Sequence, residues 1–185
     1  MRLAALLLVA ALGGGCAQIQ LTAPMPDLSN VPKVREAVGA PVALGEFTLA
    51  PGKPAEMDAG INLRSNTVSS PIQGSFAQYL KEMLAADLKA AGLLAPASDR
   101  VIKGSLTENR LEAPVGQGSG SIAARFVVLR AAQPVYDREL RVSGTWDSPF
   151  AGYVAIPGAI GEYTALHRKL ITQLLDDPAF RAALK

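Results

Sequence analysis

At 185 residues the chain has the length of one ordinary domain, enough to bury a core after an exported leader is removed. Its 18 basic and 16 acidic side chains are interspersed and leave a net charge of only +2, which excludes the basic stripe that a nucleic-acid partner requires. Hydrophobic residues make up 49% of the chain, and part of that excess is concentrated in the first dozen positions.

Residues 1–15 read as a signal peptide: Arg2, an apolar run from Leu3 to Leu12, then Gly13-Gly14-Gly15. The run is about half of the roughly 20 apolar residues that a membrane-spanning helix needs. Cys16 follows directly, and as the only cysteine it has no partner for an intramolecular disulfide. Leu12-Gly13-Gly14-Gly15-Cys16 resembles the lipobox of bacterial lipoproteins, although Gly13 stands where leucine is common. The resemblance implies cleavage before Cys16 and a thioether to diacylglycerol carrying palmitate-like chains. At ~0.8 kcal/mol per buried CH2, two or three chains make a stable anchor. Ala17 after the cysteine, and not Asp, is similar to the pattern that sorts lipoproteins to the outer membrane, and we expect the periplasmic face. An ordinary signal peptide cut at Gly15 or Ala17 is the other reading of the same residues.

From 16 to 41 the chain carries Pro24, Pro26, Pro32 and Pro41 with little periodicity, and we expect an extended tether. Docking of Leu21 to Val31 on a partner is the alternative. Residues 42–185 then read as a single α+β domain. Val42 to Leu49 alternates like a strand. Gly52 to Gln73 has no period, and its hydroxyl-rich Ser65-Asn66-Thr67-Val68-Ser69-Ser70 suits a long loop, either functional or a plain crossover. Ser75 and Gln78 form a capping box ahead of Phe76, Tyr79, Leu80, Met83, Leu84 and Leu88 at helical spacing, with Gly92 as the stop. Tyr79 and Met83 belong to the core stripe.

Three strands follow, Val101–Leu111, Ser121–Arg130 and Val135–Trp146, as an antiparallel meander. In the third, Tyr136, Leu140, Val142 and Trp146 share one side and charged or hydroxyl residues the other. Gly116-Gln117-Gly118-Ser119-Gly120 lacks the Lys and Ser/Thr of a phosphate-binding loop and reads as a flexible hairpin link. A helix from about Gly158 to Leu175 carries Ile160, Tyr163, Leu166, His167, Leu170 and Leu174 on one face. Asp177-Pro178 starts a last short helix, with Asp177 as its cap and not a metal or acid–base carboxylate beside Asp176. The order β-α-β-β-β-α predicts a two-layer sandwich, a mostly antiparallel sheet of about four strands with two helices on one face.

His167 is the only histidine, so a metal site or a serine–histidine assembly would depend on one mid-helix residue. We expect no enzyme, no metal and no cofactor. The third-ranked reading is a hydrolase using a serine from Ser65 to Ser75 with His167. The best candidate contact surface is Trp146 to Tyr153, with Trp146, Phe150 and Tyr153 as contact residues, while a role as a core plug stays open for Tyr153 and more so for Trp146.

The succession Phe76-Ala77-Gln78-Tyr79-Leu80, Leu106-Thr107-Glu108-Asn109, Arg125-Phe126-Val127-Val128, Gly144-Thr145-Trp146 and Leu174 to Phe180 is similar to the YajG-type family of small outer-membrane lipoproteins. More distantly the architecture resembles auxiliary lipoproteins of envelope lipid transport. The resemblance implies no catalytic residue. It fits a lipid-anchored binding or auxiliary module with an envelope protein or polymer as partner. The alternative is a periplasmic carrier of a small apolar ligand, with a pocket lined by Phe76, Leu80, Phe126 and Trp146.

Overall fold

The computed structural model describes residues 17–185. Twelve elements follow one another: β1 Ala17–Gln20, α1 Asn30–Ala37, β2 Ala43–Leu49, α2 Glu56–Ala59, β3 Ile61–Leu63, β4 Asn66–Ser69, α3 Phe76–Ala91, β5 Arg100–Glu112, β6 Gly116–Arg130, β7 Gln133–Ser148, α4 Gly152–Asp176 and α5 Pro178–Leu184. Among them, β2, α3, β5, β6, β7 and α4 reproduce the expected β-α-β-β-β-α frame. The main sheet has the order β2-β5-β6-β7, antiparallel except for the β2–β5 pair.

The strand period places Phe47, Ile102, Leu106, Phe126, Val128 and Val142 on the helix-covered face, where all are buried. Charged residues such as Arg125, Asp137 and Arg141 occupy the other face and pair across strands, Arg125 with Asp137 at 2.5 Å and Arg141 with Glu108 at 2.8 Å. These exposed pairs contribute little stability. Their alternation with the apolar row fixes the register, because a one-residue slip would exchange the two faces.

Ser75 caps α3 by accepting the Gln78 N–H at 3.1 Å. The Gln78 side chain does not complete a capping box. It donates to the Phe47 carbonyl at 2.6 Å and ties the helix to β2. Gly92 ends α3 with φ of 75°, the left-handed geometry expected of a glycine stop. Asp177 caps α5, with the Ala179 N–H 2.8 Å from its Oδ1. Its other oxygen accepts from the Tyr136 hydroxyl at 2.9 Å, while Asp176 pairs with Lys33 at 2.5 Å, so both carboxylates are held by structural partners.

Four further expectations are corrected. The tether of residues 16–41 is not extended where it is described: β1 pairs in parallel with β4, Leu21 is buried, and α1 packs its Val34 and Ala37 into the core. Pro32 does not prevent α1, because it falls in the first turn, where backbone N–H groups have no helical partner. The polar stretch after Arg64 is not a loop but β4, the central strand of a small sheet of order β1-β4-β3. The glycine-rich 116–120 link is the start of β6, which pairs with β7 from Gly116↔Ser148 onward. Finally, α4 begins at Gly152 and runs through Pro157, six residues ahead of the expected start.

A buried polar cluster fastens the N-terminal segment. The Asp87 carboxylate on α3 accepts from the Asp27 N–H at 2.7 Å and the Asn30 side-chain amide at 3.0 Å, and Asn30 in turn accepts from Thr172 of α4 at 2.9 Å. Burial pushes the Asp87 carboxyl above its ordinary range, against the hydrogen bonds that favour its charged form.

Candidate functional site

Cys16 lies outside the described residues. The three expected contact residues divide. Phe150 and Tyr153 are 84% and 85% exposed, the most open large apolar side chains among the described residues. Trp146 follows the inward phase of β7 and is half-buried against the core. Its indole lies against Gly118, where any Cβ would collide with it, so the close approach requires a glycine at that strand position.

Phe150 and Tyr153 do not stand alone. Val115 on the β5–β6 connection is 62% exposed and Val154 on the first turn of α4 is 50% exposed. No charged side chain occurs between Asp147 and Glu162. One guanidinium binds these connections together: Arg64, in the β3–β4 turn with φ of 55°, donates from Nε to the Ala113 carbonyl at 2.8 Å, from Nη1 to Phe150 at 2.9 Å and from Nη2 to Pro149 at 2.7 Å. A shallow cleft of about 490 Å3 lies between Arg64, Val115 and Phe150. Because the Arg64 turn directly precedes β4, and Ala17 pairs with Asn66, the described chain begins at this same pole. Sequence reasoning missed Arg64 and Val115. Arg64 acts on carbonyls 49 to 86 positions away, a relation with no local pattern.

The pocket expected for an apolar carrier is filled. Phe76 and Phe126 are fully buried and Leu80 nearly so, and Phe126 packs edge-on against Phe47 with ring centroids 6.4 Å apart. The residues proposed as a lining are core.

His167 is fully buried between the rings of Tyr163 and Tyr79, at centroid distances of 4.6 and 5.2 Å. Its Nδ1 faces the Tyr163 carbonyl at 3.0 Å, and its Nε2 has no hydrogen-bond partner among the described residues. Burial lowers its pKa to about 4, so the ring is neutral and Nδ1 donates. No serine of the 65–75 segment reaches it by a hydrogen bond. Ser70 instead accepts the Ile72 N–H at 3.0 Å and Ser75 caps α3. The Tyr163 hydroxyl donates to Asn109, whose own amide holds the Met57 carbonyl at 2.8 Å. His167 is thus packed in the core between two tyrosine rings, with one ring nitrogen unpaired among the described residues and no serine of the 65–75 segment bonded to it.

No family model and no curated protein matches the chain in sequence. Solved structures do match in shape. Protein XCC0632 from Xanthomonas campestris, of the family DUF330, superposes with a TM-score of 0.62 at 10% identity, over 90% of this chain and 96% of that one. A minor lipoprotein from Acinetobacter baumannii matches at a TM-score of 0.40 and 12% identity over 79% of this chain and 92% of its own. Rare lipoprotein B from Shewanella oneidensis matches at 0.39 and 10% over 71% and 92%. The first shares the α+β fold with this chain along nearly its whole length.

Proposed function

We propose that this protein is a lipid-anchored, non-enzymatic module of the bacterial cell envelope, held by acyl chains on Cys16 at the periplasmic face of the outer membrane, and that it acts by binding. The YajG-type resemblance and the auxiliary-lipoprotein analogy point the same way. The observation that carries the reading is the exposed apolar pole of Val115, Phe150, Tyr153 and Val154, gathered around the Arg64 guanidinium and beside Ala17, where the described chain begins. Aromatic side chains left in water by an otherwise well-buried fold are suited to contact. No helix among the described residues is long and apolar enough to cross a membrane, which makes lipid on Cys16 the means of attachment in this reading.

Growth with labelled palmitate tests it. The wild-type chain should take up label and sediment with outer membranes. Cys16→Ser should take up none and lose its membrane association. A Cys16→Ser protein that still sediments with outer membranes would overturn the anchor.

A further inference from the structure

We infer that the Val115–Phe150–Tyr153–Val154 pole seats on the bilayer that carries the anchor, so that the occupant of this apolar surface is the lipid interface itself. This rests on the anchor reading above and names the partner of the same surface. Four of the seven exposed large hydrophobic side chains among the described residues lie in these two connections and the first turn of α4. Ala17, the residue joined to Cys16, pairs with Asn66, two residues from the arginine whose guanidinium holds the Phe150 and Pro149 carbonyls. β1 runs parallel to β4, away from the Arg64 turn, so the chain enters the fold at the pole and leaves it inward. An acyl chain on the residue before Ala17 therefore reaches the bilayer from the end where the aromatics project.

The chemistry of the pole suits that depth. A phenyl group, a phenol and two valines match the headgroup boundary, where amphipathic aromatic rings concentrate. Arg64 and Glu112 line the same cleft as Val115 and Phe150, so this part of the pole suits the charged headgroup layer, and Asp147 precedes the Phe150 connection. Arg64 fixes both connections before contact, so little ordering remains when they meet lipid. Seated this way, the molecule directs the β6–β7 turn at Ala131 and Ala132 away from the membrane, because Gly116↔Ser148 lies at the pole and Arg130↔Gln133 at the far end of the same pair. The charged sheet face and the β7 edge are left to any polypeptide partner.

Lipid on Cys16 consumes the only native thiol, so one introduced cysteine labels a single place. The acylated full chain carrying Tyr153→Cys or, separately, Gln133→Cys is modified with a nitroxide and reconstituted in vesicles of phosphatidylethanolamine and phosphatidylglycerol. Phe150→Cys serves as a second pole variant if Tyr153→Cys folds poorly by circular dichroism. We expect the ratio of oxygen to polar-nickel collisions at the pole label to exceed that at residue 133 several-fold. Equal, water-like ratios at both sites in protein that remains on the vesicles would overturn the seating and leave the anchor standing. Spin–spin broadening at 153 that disappears on dilution with unlabelled protein would assign the pole to a second copy and also overturn it. Release from vesicles, with a free second thiol taking label, would overturn the anchor itself.

Discussion

His167 makes the interior sensitive to acid in a way that can be isolated. Burial takes its pKa from 6.5 to about 4, so between those values the unfolded chain binds a proton that the folded chain refuses. Stability contributed by the neutral ring is complete above pH 6.5 and is lost as pH falls toward 4. At 1.36 kcal/mol per unit of pH, the loss across that window is roughly 3 kcal/mol, a large share of the stability of a typical domain. Asp87 opposes it, since a carboxyl raised by burial favours the fold as acid protonates it, while the lowered carboxyls Asp27, Asp137 and Asp177 lose their contribution mainly below the window. His167→Phe separates these effects. A phenyl ring keeps the edge-on contacts with Tyr79 and Tyr163 and removes both the titration and the unpaired Nε2. Urea unfolding at pH 7, 5.5 and 4 should show wild type losing about 3 kcal/mol more than the variant between the first and last pH. His167→Leu repeats the test without the larger ring. Parallel losses in wild type and both variants would refute the assignment of the acid sensitivity to this buried imidazole.

Three further outcomes follow from the geometry. Arg64→Ala removes donors from three backbone carbonyls and should cost about 2 kcal/mol in urea unfolding, with faster amide exchange across 148–152 than elsewhere. Gly118→Ala drives a methyl into the indole and should destabilise by roughly 1–3 kcal/mol and shift Trp146 emission to the red, whereas Gly52→Ala, at a positive φ in open space, should leave the emission unmoved. The two-residue β6–β7 turn holds Ala131 and Ala132 at φ of 46° and 66°, so Ala131→Asn with Ala132→Gly should raise stability by about 1 kcal/mol, read as a higher melting temperature.

Elements long enough to show a period were legible. The stripes of α3 and of α4 beyond Pro157, the alternation of β7 and the Asp177-Pro178 start of α5 all stand where the residues place them. Elements whose cause lies elsewhere in the chain were not. β1 and β4 are four residues each, too short to show a period, and β1 finds its backbone partners in β4 roughly fifty positions away, a relation that no local window contains, while β4 also pairs with the three-residue β3 beside it. The Gly116 to Gly120 run has the composition of a loop, and it is a strand because it pairs with residues 144–148 of β7, where the Trp146 indole leaves no room for a Cβ at Gly118. The first six residues of α4, ending at Pro157, carry little of the helical stripe that marks the rest and were not legible as helix. At the pole, Phe150 and Tyr153 were legible as aromatics beside turn residues. Val115 and the arginine that joins the two connections were legible only in three dimensions.

The central claim, a lipid-anchored chain whose folded part begins beside its anchor, is tested most directly by the intact mass of the protein extracted from bacterial outer membranes. The account predicts a mature chain starting at Cys16 and heavier than its polypeptide by a diacylglyceryl group, with or without an acyl group on the new amine. A mass equal to the unmodified polypeptide, with a first residue other than Cys16, would contradict it.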